Sequence, residues 1–294
     1  TCTNVHIHLA LWYRQTLTNT VAYQLVNARA CAMEIAAGPL HNFTALYAGS
    51  IIVLKGLKSV DLLVRHTRGK LKKELGANPP GSTQNPEFVP TCKKICDDFL
   101  EDPVVETLWK QILREAIDVN HGVEGLHWDK YKLRVQPTSA LKKTWSTQSL
   151  LSKNPTLSEL PLHRDTWGSG VDAQLNWWLP IFPLEPGRTL ELYPSLFNKK
   201  VENTSASWKV SEFSKWRKAL DPTTMDNENE RYTYPSLPCA TPEAIEKIEA
   251  SGCEGVPVVI ECGDVVVFSA AHLHRSVPNT TTLARFSTEV RTIF

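Results

Sequence analysis

Residues 264–294 read DVVVFSAAHLHRSVPNTTTLARFSTEVRTIF. The runs DVVVFSAAHLH and ARFSTEVRTIF are rich in β-branched and aromatic residues and read as strands. Upstream, AQLNWWLPIF (173–182) sets Gln174, Asn176 and Trp178 against Leu175, Trp177 and Leu179. YKLRVQP (131–137) sets Tyr131, Leu133 and Val135 against Lys132, Arg134 and Gln136. That period of two marks strands with unlike faces. RTLELYP (188–194) and VPVVIE (256–261) are further short strands. Such a succession favours a jelly roll or barrel, with a few convergent polar residues inside as its site.

Working outward, residues 198–255 read as an insertion with helices. In TPEAIEKIEASG (241–252), Thr241 is the cap, Pro242 sits in the first turn and Gly252 is the stop. The region before residue 125 reads differently. Residues 15–75 are expected to be mostly helical, and GANPPGSTQNP (76–86) to be a loop. EDPVVETLWKQILREAID (101–118) predicts a helix with Asp102 as cap and Pro103 in its first turn, and Val105, Leu108, Ile112 and Leu113 as its apolar positions. The expectation is an α+β protein: a helical region, 1–125, packed on an all-β core, 126–294, in one structural domain.

Whole-chain properties bound the function. At 294 residues the chain can bury a substantial core. A hydrophobic content of 42%, a charged content of 21% and a formal net charge of +1 are ordinary for a soluble protein and give no global field for nucleic acid or membrane. No apolar run is long enough to span a bilayer. Seven cysteines, an odd number at irregular spacing, point to a reducing, cytoplasmic setting rather than a disulfide framework. Cys92 and Cys96 have helical i,i+4 spacing, but no zinc-spaced second pair lies near them. The opening TCTNVHIHLA has no basic segment ahead of an apolar run, so no signal peptide is expected; the missing Met suggests a removed N-terminal piece. Between Lys55 and Glu74 there are seven Lys or Arg against two acids. This reads as a solvated helix face, the alternative being a docking patch for an acidic partner.

The chemistry concentrates in LHRDTWGSG (162–170) and in the stretch quoted first. On an extended segment His163 and Asp165 point the same way. His272 and His274 are expected to share a face of their strand. Either one, joined to His163 and Asp165, gives two imidazoles and a carboxylate on one side of a metal. That leaves three cis positions open, as suits a non-haem Fe(II) that takes a co-substrate and O2 together. Arg285, eleven residues after His274, shares its strand face with Ser287 and can grip a carboxylate through two parallel hydrogen bonds. A second HxD, His127 and Asp129 in LHWDKY, is a decoy that opens a strand.

The ordered set of HxD, distal His, ten residues and RxS resembles the Fe(II)/2-oxoglutarate-dependent dioxygenases, in particular the phytanoyl-CoA dioxygenase-like branch. NWWLPIFPLEPGRTLELYPSLF and HRSVPNT resemble that branch's segments after the HxD and after the distal His. The resemblance covers roughly residues 130–294, and the first half shares only an expected helical character. It implies a double-stranded β-helix of the cupin-like, jelly-roll kind. It implies His163, Asp165 and His274 as iron ligands and as the catalytic set, and Arg285 with Ser287 on the far carboxylate of 2-oxoglutarate. O2 would be consumed with decarboxylation to succinate and CO2, and a C–H bond oxidised by hydroxylation, desaturation or ring closure. The carboxylate ligand argues against halogenation. Gln136, Asn176 and Trp178 are candidates to line the co-substrate pocket, or else plain barrel interior. Trp167 packs beside the iron or in the core. Glu289 and Arg291 either meet a polar substrate or pair with neighbours. The implied partner is a small molecule, an amino-acid-derived or other secondary metabolite, with no nucleic acid and no membrane; oligomeric state stays open, a homo-oligomer included. Two rival readings remain: a catalytically silent metal-binding jelly roll, and a metal-dependent hydrolase using the same three ligands.

Overall fold

The computed structural model describes residues 22–26, 33–37, 43–117, 126–129, 131–139, 141, 159–209, 211 and 237–293. Within them, helices and antiparallel sheets are mixed. Eleven strands are described: β1 (Ala22–Val26), β2 (Met33–Ala37), β3 (Ile51–Lys55), β4 (His127–Trp128), β5 (Lys132–Gln136), β6 (Gln174–Pro180), β7 (Leu190–Leu192), β8 (Val256–Pro257), β9 (Val265–Ser269), β10 (His274–Ser276) and β11 (Arg285–Ile293). The larger sheet runs β2-β1-β3-β9-β6-β11-β4, with β5 also paired to β11; the smaller runs β10-β7-β8. Every pairing between the described strands is antiparallel.

Alternation assigns the two faces of the larger sheet. Leu133, Val135, Leu175, Trp177, Leu179, Val265, Val267, Phe286 and Val290 join one apolar cluster with the helices Lys58–Leu75, Phe88–Leu100 and Pro103–Ala116. Trp178, Val266 and Phe268 point the other way and pack with Leu190 and Leu192 of β7. Burial of apolar area on both faces drives this layering. Inside the two-sheet layer the polar residues Arg134, Asn176, Arg285, Glu289 and Arg291 line a cavity.

The helix caps follow the sequence. Asp102 accepts a hydrogen bond from the Val104 N–H at 2.9 Å, with Pro103 in the first turn. Thr241 caps Pro242–Ala250 by accepting from the Ala244 N–H at 3.2 Å. Gly252 adopts φ +68, where a side chain would be strained. Cys92 and Cys96 lie in the apolar cluster, not at a metal site, and burial pushes the Cys92 thiol up. In the basic segment, Lys58, Arg65, Lys72 and Lys73 are exposed along their helix. No described helix is long and apolar enough to cross a membrane.

Three expectations are corrected. Residues 15–75 are not helical throughout: among those described, β1, β2 and β3 precede the Lys58–Leu75 helix. The run Ile51-Ile52-Val53-Leu54 is buried on both faces and therefore shows no alternation. DVVVFSAAHLH is not one strand. β9 belongs to the larger sheet and β10 to the smaller, and the chain crosses between them at 270–273. His272 therefore lies in that crossing and does not share a strand face with His274. VPVVIE shrinks to the two residues of β8, although Val258 and Ile260 still pack beside it. Of the expected insertion, residues 210 and 212–236 lie outside the described residues; the remainder holds a 3-10 turn, Ser205–Ser207, and the Pro242–Ala250 helix.

Candidate metal centre

Backbone pairing builds the site. The N–H of His163 donates to the carbonyl of His274, and the N–H of His274 donates to that of His163, both at 2.9 Å. The two residues form an isolated antiparallel bridge, which puts their side chains on one face. Their ring centroids stand 4.2 Å apart. Two residues past His163 the chain enters the helical turn Thr166–Ser169, for which Asp165 is the N-cap residue. Gly170 ends the turn at φ +65. Asp165 is thereby swung under both imidazoles: His163 Nε2 is 3.8 Å from Oδ1 and His274 Nε2 is 3.8 Å from Oδ2.

Hydrogen bonds select the ring nitrogens. His163 Nδ1 donates to the Pro161 carbonyl at 2.7 Å, and His274 Nδ1 to the His272 carbonyl at 2.9 Å. With the proton on Nδ1, each Nε2 lone pair faces Asp165, the outer-shell arrangement of metal-ligating histidines. Burial, helped by His274, lowers the His163 pKa to about 4, with Asp165 opposing. The ring is thus neutral and able to ligate at pH 7. Burial by itself would raise the Asp165 carboxyl. Arg291, His274, His163 and the Asn176 amide outweigh it and hold it well below the usual carboxylate range. Among the described residues, His163, Asp165 and His274 are the group whose ligand atoms all fall within 4.8 Å of one another.

The decoy pair does not assemble. His127 is exposed, and Asp129 Oδ2 accepts from Lys132 Nζ at 3.3 Å. His272 is buried against the rings of Phe197 and Phe268, at 4.6 and 6.2 Å, and burial lowers its pKa to about 3. Trp167 packs against the apolar cluster of Leu162, Tyr193 and Leu273.

Further along the cavity lies a second polar cluster. Arg285 is 4% exposed, and its guanidinium carbon stands 6.0 Å from the Trp178 ring centroid. Its Nη2 donates to Ser276 Oγ at 3.5 Å, a marginal distance. Its Nε and Nη1, and Ser287 Oγ, find no hydrogen-bond partner among the described residues. Burial, then Arg134, lowers the Arg285 pKa to about 10, which leaves it charged. A buried cation with two unmet donors is costly unless an anion meets it. Gln136, opposite Arg285 in register, instead donates Nε2 to the Val277 carbonyl at 2.6 Å. Asn176 lines the cavity, and its amide is spent on Asp165 and Gln174.

Two features went unread in the sequence. Arg134 Nη2 and Glu289 Oε1 form an ion pair at 2.7 Å across β5 and β11; burial would raise the Glu289 pKa, but Arg134, with Arg291 and Lys132, outweighs it and brings it down to about 2. The alternation of β5 placed Arg134 on the polar face but could not name its partner. Arg164, the middle residue of the HxD, donates to four backbone carbonyls. The donor set, two imidazole nitrogens and one ionised carboxylate, fits a hard or borderline divalent ion. The unmet Arg285 donors fit a dicarboxylate reaching from that ion.

No protein-family model matches the chain, and neither does any curated protein. Several solved structures resemble it. AviO1 from Streptomyces viridochromogenes is 14% identical over 86% of this chain and 95% of its own, with a TM-score of 0.39. EctD from S. alaskensis, with 2-oxoglutarate and 5-hydroxyectoine, is 16% identical over 83% of this chain and 71% of its own, at 0.46. A non-heme monooxygenase, ThoJ, in complex with Ni, is 13% identical over 81% of this chain and 71% of its own, at 0.39. With all three TM-scores below 0.5, what the centre does has to be argued from this chain's own residues.

Proposed function

We propose that this chain is a non-haem Fe(II)/2-oxoglutarate-dependent oxygenase that oxidises a C–H bond of a small molecule. The observation that carries the reading is one cavity lined by Asp165 and His274 at one place and Arg285 at another, with Arg285 Nε and Nη1 unmet. A lone metal site needs no buried guanidinium, and a hydrolase has no use for one in register with Ser287. The two facing sheets, the larger of which also takes in β1–β3 from outside 126–294, support a double-stranded β-helix, the cupin-like jelly roll.

His163, Asp165 and His274 would hold the iron, leaving open positions for a co-substrate and O2. The bound iron, with 2-oxoglutarate and O2, supplies an oxidant for the substrate as 2-oxoglutarate becomes succinate and CO2. The protein's own part is placement. Nδ1–H bonds to Pro161 and His272 aim both Nε2 atoms at one point. Arg285 and Ser287 would take the far carboxylate, and Trp178 walls that end. Oxidation at an unactivated carbon needs little from acid–base groups, which accords with a cavity whose carboxylates Asp165 and Glu289 both sit on arginines. Hydroxylation, desaturation and ring closure share this machinery.

Succinate formation from 2-oxoglutarate, measured with Fe(II) in air, tests the reading. Wild type is expected to form succinate. Arg285→Ala is expected to lose at least about 100-fold in turnover at low 2-oxoglutarate, since a desolvated, bidentate ion pair is removed. A wild-type protein that binds metal and forms no succinate would favour the silent jelly roll. Activity indifferent to 2-oxoglutarate would favour the hydrolase.

A further inference from the structure

The Asp165 carboxylate is held at both oxygens by the fold itself. Asn176 Nδ2 donates to Oδ2 at 2.5 Å. The Asn176 amide cannot turn around freely, because Gln174 Nε2 donates to its Oδ1 at 3.1 Å. Arg291 Nη2 donates to the other carboxylate oxygen, Oδ1, at 2.9 Å. Arg291 lies directly across from Asn176 in the β11–β6 register, so one cross-strand pair grips the carboxylate from two sides. It occupies the same face of β11 as Arg285 and lines the same cavity.

We propose that Arg291 is a positioning residue that sets the charge of the metal centre, lowering its affinity for a divalent cation and raising that of the loaded centre for an anionic co-substrate. The inference rests on the function proposed above. Its logic is Coulombic. Imidazoles that ligate a metal do so as neutral rings, so the Asp165 charge and the Arg291 charge cancel. The arriving ion meets a protein site of no net charge, and its full double charge remains to attract a dicarboxylate. Without Arg291 the site would be a net anion, which holds the ion harder and leaves the complex less positive. The two binding steps should therefore move in opposite directions, which loss of packing or of carboxylate orientation would not produce.

The test is calorimetry on the whole chain. Co(II) alone is titrated into metal-stripped wild type, Arg291→Gln, Arg291→Met and Arg291→Lys; 2-oxoglutarate is then titrated anaerobically into each Co(II)-loaded protein. Arg291 has a side chain 27% exposed, so neutral replacements are tolerable, and Met serves should Gln fail to fold. Both neutral variants are expected to bind Co(II) roughly tenfold tighter and 2-oxoglutarate roughly tenfold weaker, an interaction at partly screened range. Arg291→Lys, which keeps the charge, is expected to stay near wild type in both. Unchanged affinities in the neutral variants, or two affinities falling together, would overturn the role of Arg291 while leaving the proposed function intact. Wild type that takes up no Co(II), or takes it up and ignores 2-oxoglutarate, would sink the proposed function and this inference with it.

Discussion

Arg164 sits between two candidate ligands and touches neither. Its Nη1 donates to the carbonyls of Phe197 and Ala271, both at 2.7 Å, and its Nη2 to those of Leu196, at 2.7 Å, and Lys199, at 2.9 Å. One guanidinium thus ties the HxD segment to the 196–199 turn and to the crossing that precedes His274. Hydrogen bonds from a charged donor are stronger than neutral ones, and removing the donor leaves several carbonyls to find new partners. Arg164→Leu is expected to cost about 2–4 kcal/mol, read as a lower urea midpoint at unchanged slope, with Arg164→Lys recovering a minor part. A midpoint within error of wild type would show that the clamp is not holding the turn. At this scale the sequence was half legible. His163, Asp165, His274 and Arg285 stand out because side-chain type and spacing carry their chemistry. Arg164 does not, because its partners are backbone atoms, which leave no trace in the choice of residue.

At the scale of elements, caps were readable and crossings were not. Asp102 was marked as a cap by the Pro after it and the apolar spacing beyond, and it does cap the Pro103–Ala116 helix. The sequence did not reveal that the same carboxylate also meets His66 Nε2 at 2.7 Å and Lys70 Nζ. Burial would raise the Asp102 pKa; His66, Lys70 and the Val104 N–H outweigh it and bring it from 3.8 down to about 2. A depressed carboxyl contributes stability above its unfolded pKa, and that contribution is lost as pH falls through the folded value. The chain is therefore expected to lose about 2 kcal/mol through this group between roughly pH 4 and pH 2. Asp102→Asn keeps a capping oxygen and should remove that part of the acid dependence. Equal acid slopes in the two proteins would contradict the assignment. The β9–β10 break was hidden because 270–273, Ala-Ala-His-Leu, holds none of the Gly, Pro, Asn or Asp that mark a turn. What orders the next connection is Asn279, fully buried, with Nδ2 donating to the carbonyls of Gln136, Pro137 and Leu283.

At the scale of the molecule, the site is assembled from segments far apart in the chain. The HxD turn, the start of β10 and the inner face of β11 converge only because the smaller sheet folds over the larger, with β10 bridged through His274 to His163. The C-terminal half announced this architecture through alternation. The first half did not, since β3 is buried on both faces and reads as a plain apolar run. The proposed function requires these converging segments to hold iron and 2-oxoglutarate together. Anaerobic titration of the Fe(II)-loaded protein with 2-oxoglutarate tests it most directly, through the weak visible charge-transfer band of a chelated complex. The band is predicted in wild type and in His127→Ala, and its loss in His163→Ala and His274→Ala. Folded, iron-loaded wild type without the band, or a band that survives His163→Ala and disappears in His127→Ala, would contradict it.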